Sequence, residues 1–410
     1  MYICYTSTMC ILVILVVELR FYMNRGIQMP RQNPFTPMFG GKPQHFFGRS
    51  LELNIVKHAI ADGNSPYRVI FVTGNRGCGK TALLEQFSIT AREAGWTTVD
   101  VHSAHASEDI VRRLAGADQR TVERVAAHEA FGLSAGHVGI SESNRYDGRA
   151  LTDVLVAASE KRKRGGVFIT VDEAQKIPES DMENICAAVQ MTLRKGFPVM
   201  LVLAGLCGAK EKISSYKGCT FMQRAYDIRL GSLGVDEARS AFAGMLDLTG
   251  FVTCGEEELE YLCACSYGYP YLIQLLGYYL VEAAGVSHPR GHTAVTKGLV
   301  DEADLSARVD FRANVIEPSV GDFGPGMTAY LEAIVDGVGE DGRSSTGGAA
   351  RAIGKSAQQC APYRARLIER GTIVPAGYGY VRLNIPHLRS YFTEEDTGKL
   401  SDDGARIWNY

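Results

Sequence analysis

Apolar positions fall in two different rhythms along this 410-residue chain. In the first part, short unbroken apolar runs alternate with amphipathic stretches. "RVIFVTG" (68–74) is such a run, ending in glycine as a strand buried on both faces of a parallel sheet does. "TALLEQFSITAREAG" (81–95) follows with helical spacing, and Gly95 stands as its stop. "WTTVDVHS" (96–103), "GVFITVDEAQ" (166–175) and "FPVMLVLAGL" (197–206) give further strands, and a helix is predicted over 150–164. Upstream, Leu51, Leu53, Ile55, Val56 and Ile60 mark a helix in "FFGRSLELNIVKHAI" (46–60). Residues 108–148 mix helical pieces with a Gly/Ser/Asn connection, "GLSAGHVGISESNRYDG" (132–148). Strand, helix, strand in alternation predicts an α/β fold, a parallel sheet with helices on its faces.

The rhythm changes after residue 230. From 231 to 317 no strand pattern survives, and this stretch reads as a helical lid over the sheet domain. Residues 318–326 carry Pro318, Gly321, Gly324 and Pro325 and read as a linker. A small unit follows over 327–392. It holds a helix at 328–335, a short one in "GGAARAIGKS" (347–356) and a third in "AQQCAPYRARLIERG" (357–371), with Leu367 and Ile368 facing inward. "TIVPAGYGYVRLNIP" (372–386) then reads as two strands around a glycine turn. Pro362 either opens the ordered part of the third helix or kinks it.

The ends are simpler. Residues 1–28 contain the apolar run "MCILVILVV" (9–17), too short for a membrane span and without preceding Lys or Arg. They read as a start-site extension, with a membrane anchor as the alternative. Residues 29–45 read as an extended arm and 393–410 as an acidic tail.

Composition narrows the partners. Apolar content of 46% and charged content of 22% fit a globular protein of two or three domains. A formal net charge of −3 excludes a polycation, so any nucleic-acid contact comes from a local patch. Ten scattered cysteines with no CxxC pair argue against zinc, and for reduced thiols in a cytoplasmic protein with no membrane partner.

The chemistry is concentrated in Gly74-Asn75-Arg76-Gly77-Cys78-Gly79-Lys80-Thr81, which fits GxxxxGK(S/T) between a strand and a helix. Glycines let backbone N–H groups converge on phosphate oxygens, and the helix that follows presents its positive end. Lys80 is placed for the β- and γ-phosphates of ATP, and the Thr81 hydroxyl for Mg²⁺. Asp172 and Glu173 stand at the end of the predicted strand 167–171, where a parallel sheet faces its ligand. Asp172 suits the Mg²⁺ shell, and Glu173 suits the activation of an attacking water.

These two motifs, with "HFFGR" (45–49), resemble an AAA+ ATPase of the origin-recognition type found in bacteria and archaea. The resemblance runs over 46–392. It implies a P-loop core over 46–230, Mg²⁺-dependent ATP hydrolysis, which the departures below make slow, homo-oligomerisation on ATP binding, and an adenine pocket near Gly48 and Arg49. Two departures stand out. Ala204, Gly205 and Leu206 occupy the place of a polar sensor residue, and in "GYPY" (268–271) Tyr271 stands where the family often has arginine. Both segments are similar to those of STAND signalling ATPases, so a nucleotide switch that recruits a protein partner is the alternative function. Arg224 lies where AAA+ proteins extend a catalytic arginine to a neighbouring subunit, with Arg229 as competitor.

The basic run "KRKR" (161–164) reads as a solvated helix end. The order helix, helix, helix, hairpin in 327–392 resembles the winged helix attached to origin-recognition-type ATPases. Residues 343–389 hold eight Arg or Lys against one acid, Glu369. This is the footprint of a phosphate-contacting face and makes duplex DNA a candidate partner, with Gln358, Gln359, Arg364 and Arg366 as its readers.

Overall fold

The computed structural model describes residues 33–38, 45–102, 105–115, 148–160, 165–287 and 291–393. The start-site extension, the acidic tail, the run 161–164 and nearly all of the connection 132–148 lie outside them.

The first half is a five-stranded parallel sheet in the order β2-β3-β4-β1-β5. Its strands are β1 (Val69–Gly74), β2 (Thr97–Val101), β3 (Val167–Val171), β4 (Val199–Gly205) and β5 (Tyr226–Leu230). The continuous apolar runs are explained by burial on both faces: every residue of β1, β3 and β4 is buried. Alternate side chains of β1 go to opposite sides. Ile70 and Val72 join Phe87, Phe168 and Val202 under α1 (Ser50–Ala61) and α2 (Lys80–Glu93). Phe71 joins Ile169, Leu201 and Leu203 under α3 (Ala106–Ala115), α4 (Gly148–Glu160) and α5 (Glu179–Arg194). Because all five strands are parallel, their carboxyl ends share one edge, and the chain crosses over β1 there to reach β5. That crossover opens the crevice in which such sheets bind ligands.

After the short α6 (Ala209–Ser214), the lid comprises α7 (Val235–Thr249), α8 (Glu256–Ser266), α9 (Pro270–Ser287) and α10 (Lys297–Phe311), with a two-residue parallel bridge of β6 (Val252–Thr253) and β7 (Thr293–Ala294). Then α10 runs through a π turn (Arg312–Ile316) into α11 (Glu317–Val320). Of the stretch expected as linker, 318–320 end α11, 321–324 form a non-helical turn, and 325–326 open the next helix. Val320 is buried, and Pro325 begins α12 (Pro325–Asp336), where its missing N–H costs nothing.

The C-terminal unit adds α13 (Thr346–Ala352), α14 (Ala357–Glu369), α15 (Leu388–Thr393) and a small sheet ordered β8-β10-β9, with β8 Ser344–Ser345, β9 Ile373–Pro375 and β10 Tyr380–Leu383. A reciprocal capping box starts α14: Gln359 N donates to Ser356 Oγ at 3.2 Å, and Ser356 N to Gln359 Oε1 at 2.9 Å. Pro362 lies inside this helix rather than at its start. Lid and C-terminal unit share one apolar core, from Phe242, Leu276 and Phe311 to Tyr330, Leu367 and Leu388. The arm joins it: Phe35 is buried against Phe242 and fills the space beside Gly277, where a Cβ would lie 2.0 Å from its ring. Among the described residues no helix is long and apolar enough to cross a membrane.

Candidate functional site: a phosphate cradle between sheet and lid

The cradle grows out of β1. Gly77 and Gly79 take φ of +80° and +90°, a backbone that L side chains rarely adopt. Gly79 turns the chain directly into α2, so the first N–H groups of that helix face the crevice. Lys80, 6% exposed, folds back on the loop: its Nζ donates to Gly74 O at 2.9 Å and to Asn75 O at 2.7 Å. An ammonium this deeply covered and held only by carbonyls is a charge in search of an anion.

Next in the helix, Thr81 Oγ1 donates to Asp172 Oδ2 at 2.6 Å, and Glu173 N donates to Asp172 Oδ1 at 2.8 Å. A hydroxyl and a carboxylate so close are an oxygen donor set suited to Mg²⁺ with retained waters. Glu173 is held in the left-handed region at φ +50°. Its Oε2 accepts from Gln175 Nε2 at 2.9 Å and lies 3.3 Å from Lys176 Nζ. Gln175 Oε1 in turn accepts from Leu206 N at 3.3 Å, so a side-chain amide ties Glu173 to the turn after β4.

These groups line one cavity of about 630 Å³, within the range that holds nucleotide-sized ligands. Of the residues expected from sequence, Arg49, Arg76, Gly77, Cys78, Gly79, Lys80, Thr81, Asp172 and Glu173 border it. Gly74, Asn75 and Gly48 sit behind the lining. The guanidinium of Arg49 bonds Gly231 O and its N–H bonds Glu237 Oε1, so it braces the join between sheet and lid. Arg224 is exposed and ends the 3-10 turn Lys217–Arg224, two residues before β5 begins. Since β5 runs parallel to β1, Arg224 stands at the opposite end of the sheet from its own cradle.

In the C-terminal unit, Gln358, Gln359 and Arg366 are exposed on α14, whereas Arg364 is half-buried, with its Nε shielded from solvent. Two residues apart on a helix, Arg364 and Arg366 leave in directions about 200° apart. They cannot read one groove side by side.

Two contributors went unread in the sequence, and a third, the lid turn 268–271, was read only for its missing arginine. Thr36 and Met38 of the arm reach the same cavity, which no local pattern signals. Asp100 borders it from β2, its Oδ1 accepting from Ser88 Oγ and from Thr170 Oγ1. The lid turn 268–271 sits on the loop itself: the Tyr269 hydroxyl donates to Arg76 O, and Tyr271 N donates to Gly77 O at 3.2 Å. Burial pushes the Tyr269 and Tyr271 hydroxyls up from their ordinary range, so both stay neutral.

Residues 45–202 match the family described as AAA ATPase domain, and residues 313–392 match a domain of unknown function, DUF8462. No curated protein matches in sequence. Among solved structures, the Aeropyrum pernix ORC2 protein in its ADPNP–ADP complexes is similar at 14% identity, with 87% of this chain and 95% of that one covered and a TM-score of 0.56. Pyrobaculum aerophilum Cdc6p (15% identity, 88% and 96% covered, TM-score 0.45) and the Thermotoga maritima RuvB Holliday junction branch migration motor (14%, 87% and 97%, 0.43) overlap more loosely. Motif, sheet order and comparison agree: residues 45–202 are an AAA ATPase domain, in a chain that shares the P-loop fold of the ORC2 protein.

Proposed function

We propose that this chain binds ATP with Mg²⁺ between sheet and lid, hydrolyses it slowly, and couples the cycle to self-association or to duplex DNA through a C-terminal winged helix. The observation that carries the reading is the convergence of Lys80, Thr81, Asp172 and Glu173 on one cavity. Lys80 would neutralise the β- and γ-phosphates, Thr81 and Asp172 would hold Mg²⁺, and Glu173 would orient water. The Mg²⁺ would supply charge neutralisation across the phosphates. Slow turnover follows from the small apolar residues Ala204 and Gly205 where a polar reader of the γ-phosphate is expected, and from Glu173 being engaged by Gln175 and Lys176. Arg224, remote from its own cradle, acts only on a neighbour's. The winged-helix assignment rests on the observed order of three helices and a hairpin beside a third short strand. The second reading, a STAND-like switch that recruits a protein, is favoured by one feature: Tyr271 lines the cavity where an arginine would touch phosphate.

Calorimetry with ATP and Mg²⁺ tests the cradle. Lys80→Ala should weaken binding about 100-fold, the loss of a strong charge-assisted contact, and Glu173→Gln should bind normally without turnover. Equal affinity in wild type and Lys80→Ala overturns the assignment. Mass measurement in solution, with and without ATP and duplex DNA, separates the two readings: no DNA binding at low salt with ATP present leaves the protein-recruiting switch.

A further inference from the structure

The carboxyl end of α14 is seated on the phosphate loop. Asn75 Nδ2 donates to Gly371 O at 2.9 Å and to Asn384 O at 3.2 Å. Asn384 Nδ2 donates to the same Gly371 carbonyl at 2.9 Å. From the turn after β4, the Cys207 thiol donates to Asn75 Oδ1 at 3.5 Å. Three distant pieces of chain therefore close on the side chain of Asn75, which is 6% exposed. The junction has no spare room. Gly371 is left-handed at φ +73°, and a Cβ on it would lie 1.9 Å from Asn75 Oδ1 and 2.7 Å from Cys207 Sγ. Next to it, a Cβ on Gly208 would lie 2.3 Å from Cγ of Glu369.

Asn75 serves two masters. Its side chain holds the C-terminal unit, while its carbonyl holds Lys80 Nζ at 2.7 Å. Two of the three N–H groups of Lys80 are taken by loop carbonyls; a phosphate that draws the ammonium toward itself competes with those carbonyls and loosens one restraint on Asn75. A second effect points the same way. A helix ends in unpaired carbonyls worth about half a negative charge. In α14 that end meets the loop built to receive a polyanion through the Gly371 carbonyl, with Glu369 beside Gly208 in the neighbouring turn. Occupancy of the cradle therefore raises the electrostatic cost of keeping α14 in its seat.

We propose that the Asn75–Gly371 junction is a latch opened by ATP. It fixes the orientation of α14 while the cradle is empty and frees that helix when triphosphate binds. The proposal rests on the ATP reading above and adds how the C-terminal unit learns the state of the site. Coupling of this kind is reciprocal, so a broken latch must raise affinity for ATP.

The test uses the full chain, the non-hydrolysable analogue ADPNP with Mg²⁺, and two variants. Gly371→Ala drives a methyl into the junction from outside the cradle. Asn75→Ala removes both donors yet keeps a Cβ and the loop N–H. In wild type, ADPNP should speed hydrogen exchange of the amides at 371–373 and 384–386. In both variants that exchange should be fast without nucleotide, and ADPNP should bind about fivefold tighter or more. Unchanged or slower exchange in wild type with ADPNP bound overturns the latch, as does unaltered affinity in Gly371→Ala that retains its fold. Should Gly371→Ala fail to fold, Asn75→Ala and the wild-type exchange decide. No binding of ADPNP to wild type is a different result, which removes the ATP reading itself.

Discussion

The sheet domain and the body formed by lid and C-terminal unit are built on different plans. Two separate apolar clusters, one on each face, hold the sheet, and the strands between them are apolar along their whole length. The other body has one cluster, which begins with Phe35 in the arm, passes through all four lid helices and ends at Leu388. In the first plan each strand–helix unit declares itself locally. In the second, segments hundreds of residues apart supply one core, and a proline- and glycine-rich stretch between them need not mark a boundary.

The sharpest way to break this contrast is Phe311→Ala. Phe311 is fully buried where α10 meets Tyr269, Tyr271 and His387. A cavity of that size costs about 3–5 kcal/mol. Exchange protection should fall together in lid and C-terminal unit and persist in β1, β3 and β4. If 327–392 kept its protection while the lid lost it, the two would be separate bodies.

Acid gives a smaller effect with a defined sign. His387 is buried beside the Tyr267 and Phe311 rings, with its Nε2 unpartnered among the described residues. Burial, aided by Arg308, pushes its pKa from 6.5 down to about 3. Between those two values the unfolded chain takes up a proton that the folded chain refuses, so stability falls as pH falls. The wild type should lose up to about 1.4 kcal/mol per pH unit more than His387→Phe across that window. Denaturant titrations at several pH values measure it, and parallel slopes for the two proteins would refute it.

The smallest effect concerns the stretch once expected to be a linker. Arg370 forms a two-pronged pair with Asp322 in solvent. Exposed pairs are worth about 0–1 kcal/mol, so Asp322→Ala should shift the unfolding midpoint only slightly. A large shift would mean that this pair, not the shared core, joins α14 to the lid.

These contrasts also explain what could be read from residues alone. The loop from Gly74 to Thr81 and the pair Asp172–Glu173 were legible because strand burial and phosphate chemistry both act over a few neighbouring positions. The three helices and the hairpin after 327 were legible for the same reason. Asn75 was legible as a loop residue but not as a support for Gly371, since a hydrogen bond spanning 296 positions leaves no periodic trace. Phe35 was invisible in a proline-rich arm because its partner Gly277 is notable only for the side chain it lacks. Pro362, expected either to open the third helix or to kink it, lies inside that helix, and Pro325, expected in the linker, opens one. A capping box at Ser356 had already started α14, while nothing upstream prevented Pro325 from starting α12.

The shared core has a consequence for how the molecule is made. On a ribosome adding ~5–20 residues per second, the sheet is complete once Leu230 has emerged. The other body must wait roughly ten to thirty seconds more for Ile385 and Leu388. Throughout that interval Phe35, already synthesised, has no finished pocket to enter. The nascent chain therefore presents an open cradle before it has a lid to close over it, and the Phe35 ring waits in water until the groove beside Gly277 is complete.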